Sequence, residues 1–190
     1  MGATVALVAH AAAGLVLLAG VAKLRRPGAT AEALALTRVP TTTGLVRVLG
    51  GAEIALAAAV LVVGGPWLFA ALAATYLGFT TVAERQRRAG RGCGCFGATT
   101  TRVGPLHLGV DAAAALAAGI AAWQGVPGVA GILPDGVVSA STTLGLLVLA
   151  VVLAQLTLTT LPDLLAIRAR AAEASTLPGP RPFARVGADA

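Results

Sequence analysis

Five apolar stretches, each close to 20 residues long, constrain the fold of this chain more than any other feature. They cover approximately residues 3–22, 44–65, 66–83, 106–123 and 141–161. The hydrocarbon core of a bilayer is about 30 Å thick and an α-helix rises about 1.5 Å per residue, so each stretch is long enough to cross it. The period-two alternation of membrane strands is absent. The sequence therefore predicts an all-α fold, a polytopic membrane bundle of five transmembrane helices.

The composition supports an integral membrane protein. Hydrophobic residues make up 57% of the chain and charged residues only 12%, and the mean hydropathy is +0.86. A disordered chain needs the opposite balance of low hydrophobicity and high charge. The net charge is +6, and 13 of the 14 Lys and Arg residues lie between or after the apolar stretches. No basic surface of the kind that grips phosphates is indicated, so the predicted partner is the lipid bilayer and not nucleic acid.

The first stretch is interpreted as a retained helix. A secretory signal peptide has a positively charged segment before its apolar core, and here no Lys or Arg precedes the stretch. A short interfacial helix is predicted after it, over residues 29–36, with Thr30 as N-cap and Pro40 ending it. Gly64, Gly65 and Pro66 predict a tight turn between the second and third spans.

The chain divides into a transmembrane domain, residues 1–162, and a tail, residues 163–190. Residues 163–174 are compatible with a surface helix. Residues 177–190 contain three prolines and are predicted to be disordered. Residues 124–140 are predicted to be a loop.

The basic residues predict the orientation. With five spans, all 14 Lys and Arg residues fall on one side of the membrane. Basic residues in short loops are retained in the cytoplasm. We therefore predict a protein of the inner or plasma membrane with an extracytoplasmic N-terminus and a cytoplasmic C-terminus.

Both cysteines of the chain lie in one short string, Arg91-Gly92-Cys93-Gly94-Cys95-Phe96-Gly97. The glycines allow a tight turn, and Cys residues two apart can approach disulfide distance with some strain. Strained disulfides are the more oxidising ones, and the nearby Arg88 and Arg91 favour the thiolate form. The string is therefore typical of reversible thiol–disulfide exchange.

Two other interpretations of Cys93 and Cys95 stay open. Two thiolates can hold a soft ion such as Cu(I), although a structural zinc site would need four ligands. The string can also be a structural turn. No quinone- or haem-binding motif is evident, so no cofactor is predicted, and the sequence leaves a quinone or a metal open.

Four polar residues inside or beside the spans are the other candidates for chemistry: Lys23, Glu53, His107 and Asp111. Charged side chains are costly in hydrocarbon and should face the interior of the bundle. His107 and Asp111 are spaced i, i+4 on one helix face. The four can converge on one pocket, either as a proton or redox relay or as an interhelical ion pair. His10 is predicted to be a packing or interface residue.

Small residues at four-residue spacing indicate close helix contacts. Gly51, Ala55 and Ala59 recur in this way in the second span. Such spacing lets helix backbones approach each other, although chance recurrence is common in so alanine-rich a chain.

The Cys-Gly-Cys-Phe-Gly string after the third span resembles the MauE family of methylamine-utilisation proteins and its DoxX-like relatives. Lys23, in Gly-Val-Ala-Lys-Leu, resembles the Lys that ends the family's first helix. Glu53 and Asp111 resemble polar residues of its second and fourth helices. Where the family often has Trp and Arg after the Cys loop, this chain has Leu106-His107-Leu108-Gly109. The resemblance covers about residues 5–161.

The resemblance implies a membrane helper in thiol–disulfide redox chemistry. It implies an exported, disulfide-rich client in methylamine metabolism and a thioredoxin-like partner. The chain would then be a thiol–disulfide oxidoreductase or an electron-transfer component. The rival interpretation is a non-catalytic assembly, transport or metal-handling subunit. The charge rule places the cysteines on the cytoplasmic side, opposite to an exported client, and we favour the topology over the inherited role.

Overall fold

The computed structural model describes residues 2–35, 41–90, 103–161, and positions 164, 167 and 168. These residues form helices α1 Gly2–Arg25, α2 Pro27–Ala35, α3 Thr43–Val62, α4 Pro66–Arg88, α5 Pro105–Gln124, α6 Val129–Ile132 and α7 Val137–Thr159. The described part of the chain contains no strand. Helices α1, α3, α4, α5 and α7 are long and apolar enough to cross a membrane. The predicted all-α bundle of five spans is confirmed.

Several predicted boundaries differ from the structure. Helix α2 begins at Pro27, a residue well suited to a first helical position, so Thr30 lies inside the helix and is not its N-cap. Helix α4 continues past residue 83 to Arg88, because Glu84 accepts hydrogen bonds from Arg87 and Arg88 within its last turns. The predicted loop 124–140 contains the short α6, and it ends where α7 begins at Val137. The outer part of the predicted tail, 169–190, and Pro40 lie outside the described residues.

Helix α1 lies at the centre of the bundle and packs against α3, α5 and α7. Helix α4 packs against α5 and α3, and α2 covers α1, α3 and α4 at one end. The buried core therefore comes mainly from α1, α3, α4 and α5, and includes Ala9, Val16, Val60, Phe69, Leu72 and Ala118.

The predicted turn between α3 and α4 is present and defines one end of the bundle. Gly64 and Gly65 have φ values of 68° and 95°, which side chains rarely adopt. The Gly65 amide donates to the Val126 carbonyl at 2.7 Å, and the Gly128 amide donates to the Val63 carbonyl at 3.0 Å. The α3–α4 turn and the segment after α5 therefore lie side by side.

The opposite end is formed by the last turns of α1 and α4 and the first turns of α3 and α5. We call it the basic end, because it carries the described basic residues of these helices and the one that follows α1: Lys23, Arg25, Arg26, Arg47, Arg85, Arg87 and Arg88. Helix α4 ends and α5 begins at this end, and the residues between them along the chain include both cysteines.

Two glycines bring α1 and α3 into close contact. A Cβ on Gly20 would lie 2.7 Å from the Gly50 carbonyl oxygen, and one on Gly50 would lie 2.8 Å from the Gly20 carbonyl oxygen. Only glycine fits so near a neighbouring backbone. The recurrence of Gly51, Ala55 and Ala59, which indicated close helix contacts, does not mark the buried face of α3, because Gly51 and Ala55 are exposed. The buried face carries Val46, Gly50, Glu53, Ala57 and Val60.

Candidate functional site

The most prominent polar feature of the bundle is a buried ion pair between Lys23 and Glu53. Lys23 lies in the last turn of α1, and Glu53 lies midway along α3. Lys23 Nζ donates to Glu53 Oε2 at 2.7 Å, and the side chains are only 2% and 4% exposed. The Gly20–Gly50 contact sets the height at which the two helices cross. Because α1 and α3 run in opposite directions, Lys23 lies beside Gly50, with its Cβ 3.0 Å from the position of a Cβ on Gly50, and its long side chain reaches along α3 to Glu53.

Two aromatic residues of α4 complete the surroundings of the pair. Lys23 Nζ lies 5.0 Å from the centroid of the Phe79 ring, a distance at which a cation is attracted by the ring face. Phe79 packs edge-on against Tyr76, with 5.7 Å between ring centroids. The Tyr76 hydroxyl donates to the Ala12 carbonyl of α1 at 2.8 Å. The ion pair is therefore held on three sides by α1, α3 and α4.

Tyr76 and Phe79 are not among the residues predicted from the sequence. A usable signal was present, because Tyr76 is the one tyrosine of the chain and lies inside an apolar span. Buried tyrosines usually have a hydrogen-bond partner for the hydroxyl group. A tyrosine in hydrocarbon therefore indicates a polar contact between helices.

Asp111 and His107 share α5 but not a common contact. Asp111 is half-buried, and both Asp111 and Glu53 lie close enough to the Tyr76 hydroxyl to interact with it electrostatically. The His107 ring hydrogen-bonds to the backbone of Leu158 in α7. Among the described residues, no hydrogen bond or ion pair joins Asp111 to His107, or His107 to Glu53. The structure thus brings Lys23, Glu53 and Tyr76 together, and the relay of four residues stays a prediction.

Several buried polar atoms near the basic end have no hydrogen-bond partner within the described ranges. They are Glu53 Oε1, His107 Nδ1 and both amide atoms of Gln86. Gln86 is only 1% exposed and was not identified from the sequence, because a polar residue beside Arg85 and Arg87 is usually on the surface. Gln86 and His107 flank, along the chain, the segment that carries the cysteines.

The cysteines themselves, Cys93 and Cys95, lie outside the described residues, as does Arg91. Arg88, predicted to favour the thiolate form, is described: its Nε donates to Glu84 Oε1 at 2.7 Å. Its charge is therefore already shared with a carboxylate. In the described part of the chain, no group of three or more His, Cys, Asp and Glu side chains converges as a metal site would require.

His10 has a packing role, as expected from the sequence. It is fully buried in α1, its Nδ1 lies 2.7 Å from the Ala6 carbonyl oxygen, and its ring packs edge-on against Phe69 at 5.4 Å.

Comparison with known families identifies the bundle. A sequence model of the family described as methylamine utilisation protein MauE matches residues 1–124. The chain belongs to the MauE family. The match covers α1 to α5, and so includes both cysteines and every candidate residue named above, whereas α6 and α7 lie beyond it. No curated protein matches the chain, and no solved structure does.

Proposed function

We propose that this member of the MauE family is a membrane thiol–disulfide redox helper in which Cys93 and Cys95 are the reactive pair. One observation carries the proposal: the only two cysteines of a 190-residue chain stand in Cys-Gly-Cys, in the segment between two membrane helices that pack against each other. Free cysteines used as packing residues are usually buried singly among apolar neighbours. The segment also falls within the residues that match the family.

The proposed reaction is dithiol–disulfide exchange. One thiolate of the pair attacks a sulfur of a partner disulfide, which forms a mixed disulfide and releases one partner thiolate. The second cysteine then attacks the mixed disulfide, which yields the Cys93–Cys95 disulfide and a fully reduced partner. Two electrons and two protons pass from the pair to the partner, and the reverse reaction oxidises the partner. Cys93 is proposed as the attacking thiol, because it is nearer along the chain to Arg91 and Arg88.

The buried ion pair has a supporting part in this proposal. Lys23 and Glu53 bond to each other at 2.7 Å and are almost inaccessible, as expected for a structural contact that fixes α1 against α3. Asp111 and His107 lie in the first two turns of α5, the helix that follows the cysteines along the chain. We propose that they accept the released protons.

The orientation decides which partner can reach the cysteines. The basic end is proposed to face the cytoplasm, because positively charged connections are retained there. The immediate exchange partner is then a thioredoxin-like protein of the cytoplasmic side. The exported client and methylamine as the physiological context are implied by the family.

Trapping of the mixed disulfide tests the proposal. In a Cys95→Ser variant, the adduct formed by Cys93 has no resolving thiol, so a disulfide-linked complex should accumulate and disappear on reduction. The Cys93→Ser/Cys95→Ser variant is the matched control and should give no complex. If the single variants give no more complex than the double variant, while all of them insert into the membrane normally, the redox proposal is wrong.

A further inference from the structure

A second site is suggested by a cavity beside the ion pair. The cavity lies between α2, α3 and α4 and has a volume of about 320 Å³. This volume falls within the range of about 300–1,000 Å³ that is common for small-molecule pockets. Its lining is largely aliphatic and aromatic, and includes Leu34, Leu49, Leu56, Phe79 and Val82. Glu53 is the one charged residue among the described side chains that line it.

Glu53 has a free acceptor at this cavity. Its Oε2 accepts from Lys23, whereas its Oε1 is buried and has no hydrogen-bond partner among the described residues. A buried carboxylate oxygen without a donor is unfavourable, because it has lost its hydration and gained nothing in return. Lys23 cannot easily move to satisfy both oxygens, since it is also held over the Phe79 ring. A hydrogen-bond donor on a ligand would satisfy Glu53 Oε1.

The surroundings define the chemistry of that ligand. Two of the three helices around the cavity, α3 and α4, are candidate membrane spans, so we expect a ligand that dissolves in the lipid phase. The Lys23–Glu53 pair is already neutral overall, and a net charge on the ligand would be costly among apolar side chains. An anionic head group would also be repelled by Oε1. The ligand is therefore uncharged, has a hydrogen-bond donor at one end and is apolar elsewhere.

We propose that this cavity binds a neutral, membrane-soluble molecule with a hydroxyl head group on an aliphatic body, and that the hydroxyl donates to Glu53 Oε1. The site does not depend on the cysteines. Its components come from three helices, which the ligand would hold together beside the ion pair.

Photolabelling tests the site directly. The full chain is placed in phosphatidylcholine nanodiscs and labelled with a 1-decanol derivative that carries an aliphatic diazirine, and the labelled peptides are mapped by mass spectrometry. Labelling should concentrate on the lining residues of α2, α3 and α4. Unlabelled 1-decanol and decyl methyl ether then compete at equal mole fraction in the membrane.

The alcohol should bind at least about tenfold more tightly than the ether in this competition, because the ether cannot donate the hydrogen bond to the charged acceptor. Equal competition by the two compounds would show that the cavity accepts any aliphatic chain, and would overturn the proposal. Labelling spread evenly over the lipid-facing surface would overturn it as well.

A pair of glycine variants separates occupancy of the cavity from effects on the bundle. Gly78 lines the cavity and Gly51 does not, yet both are exposed helical glycines whose added Cβ would meet nothing within 4 Å. Gly78→Leu should fill the cavity, so that the probe can no longer donate its hydrogen bond to Glu53. Labelling should then fall about tenfold or more. Gly51→Leu should label as the wild type does. Equal labelling of the two variants would contradict the proposed site.

Discussion

Lys23 Nζ lies 2.7 Å from Glu53 Oε2, and both side chains are almost fully buried. The contact joins residues 30 positions apart along the chain. A single charged side chain in the middle of a membrane helix costs at least about 2.5–3.5 kcal/mol on insertion scales. Pairing the two charges removes much of that penalty. The pair also selects one register of α1 against α3, because a shift of either helix by one turn would separate the charges.

Removing one partner of the pair should destabilise the bundle. In Glu53→Ala the Lys23 ammonium is left unpaired in an apolar site, a change that typically costs about 3–5 kcal/mol for a buried pair. Glu53→Gln should be milder, because the amide oxygen can still accept from Lys23. The measurement is the free energy of reversible unfolding in mixed micelles.

The double variant Lys23→Met/Glu53→Leu is the control for this interpretation. It removes both charges and keeps apolar volume, so it should recover much of the stability lost in Glu53→Ala. Wild-type stability of Glu53→Ala would show that the ion pair does not contribute to the fold.

Adding a methyl group should destabilise the crossing of α1 and α3 at Gly50 but not at Gly51. In Gly50→Ala the new Cβ would lie 2.8 Å from the Gly20 carbonyl oxygen and 3.0 Å from Lys23 Cβ, so the helices must separate. Overpacking of this kind typically costs about 1–3 kcal/mol. Gly51→Ala meets nothing and should be neutral, or stabilising by up to about 1 kcal/mol from helix propensity. Similar unfolding free energies for the two variants would contradict the packing described for α1 and α3.

Loss of the Tyr76 hydroxyl should have a small effect. Tyr76→Phe removes the hydrogen bond to the Ala12 carbonyl but keeps the ring contact with Phe79. Hydrogen bonds between membrane helices contribute about 0.6 kcal/mol on average, so the stability should fall by about that amount. Tyr76→Ala should cost considerably more, because the buried ring is lost too. An equal loss in both variants would mean that the hydroxyl, and not the ring, holds α4 against α1.

The sequence predicted the spans well and the helix contacts poorly, and the two outcomes have different physical origins. Span positions depend on the length and hydropathy of each stretch, which are local properties. The face of a helix that is buried depends on its neighbours, and in α3 alanine and glycine occur on every side. The recurrence of Gly51, Ala55 and Ala59 was therefore no better a signal than that of Gly50, Glu53 and Ala57, which lie on the buried face.

The candidate site was partly predictable for a related reason. Lys23 and Glu53 could be identified because charges are rare in the spans and must be neutralised. His107 and Asp111 share a helix face by spacing, but spacing does not reveal that His107 bonds to α7. Gln86 could not be identified, because it stands among arginines in a polar sequence and becomes buried only through tertiary packing.

The orientation can be tested with reporters at the two termini. Five spans place the termini on opposite sides, and the basic connections predict a cytoplasmic C-terminus. A fluorescent protein that matures only in the cytoplasm should be active at the C-terminus, and an export-dependent alkaline phosphatase should be active at the N-terminus. Activity of the same reporter at both ends would require an even number of crossings.

The redox state of Cys93 and Cys95 tests the central claim most directly. Native membranes are equilibrated over a range of glutathione potentials, and the free thiols are then alkylated and counted by mass spectrometry. A reactive pair should pass from two alkylated cysteines to none within a narrow range of potential, because the two thiols are oxidised together. If both cysteines stay reduced at every potential, thiol–disulfide exchange is not the function of this protein, and Cys-Gly-Cys is a structural turn.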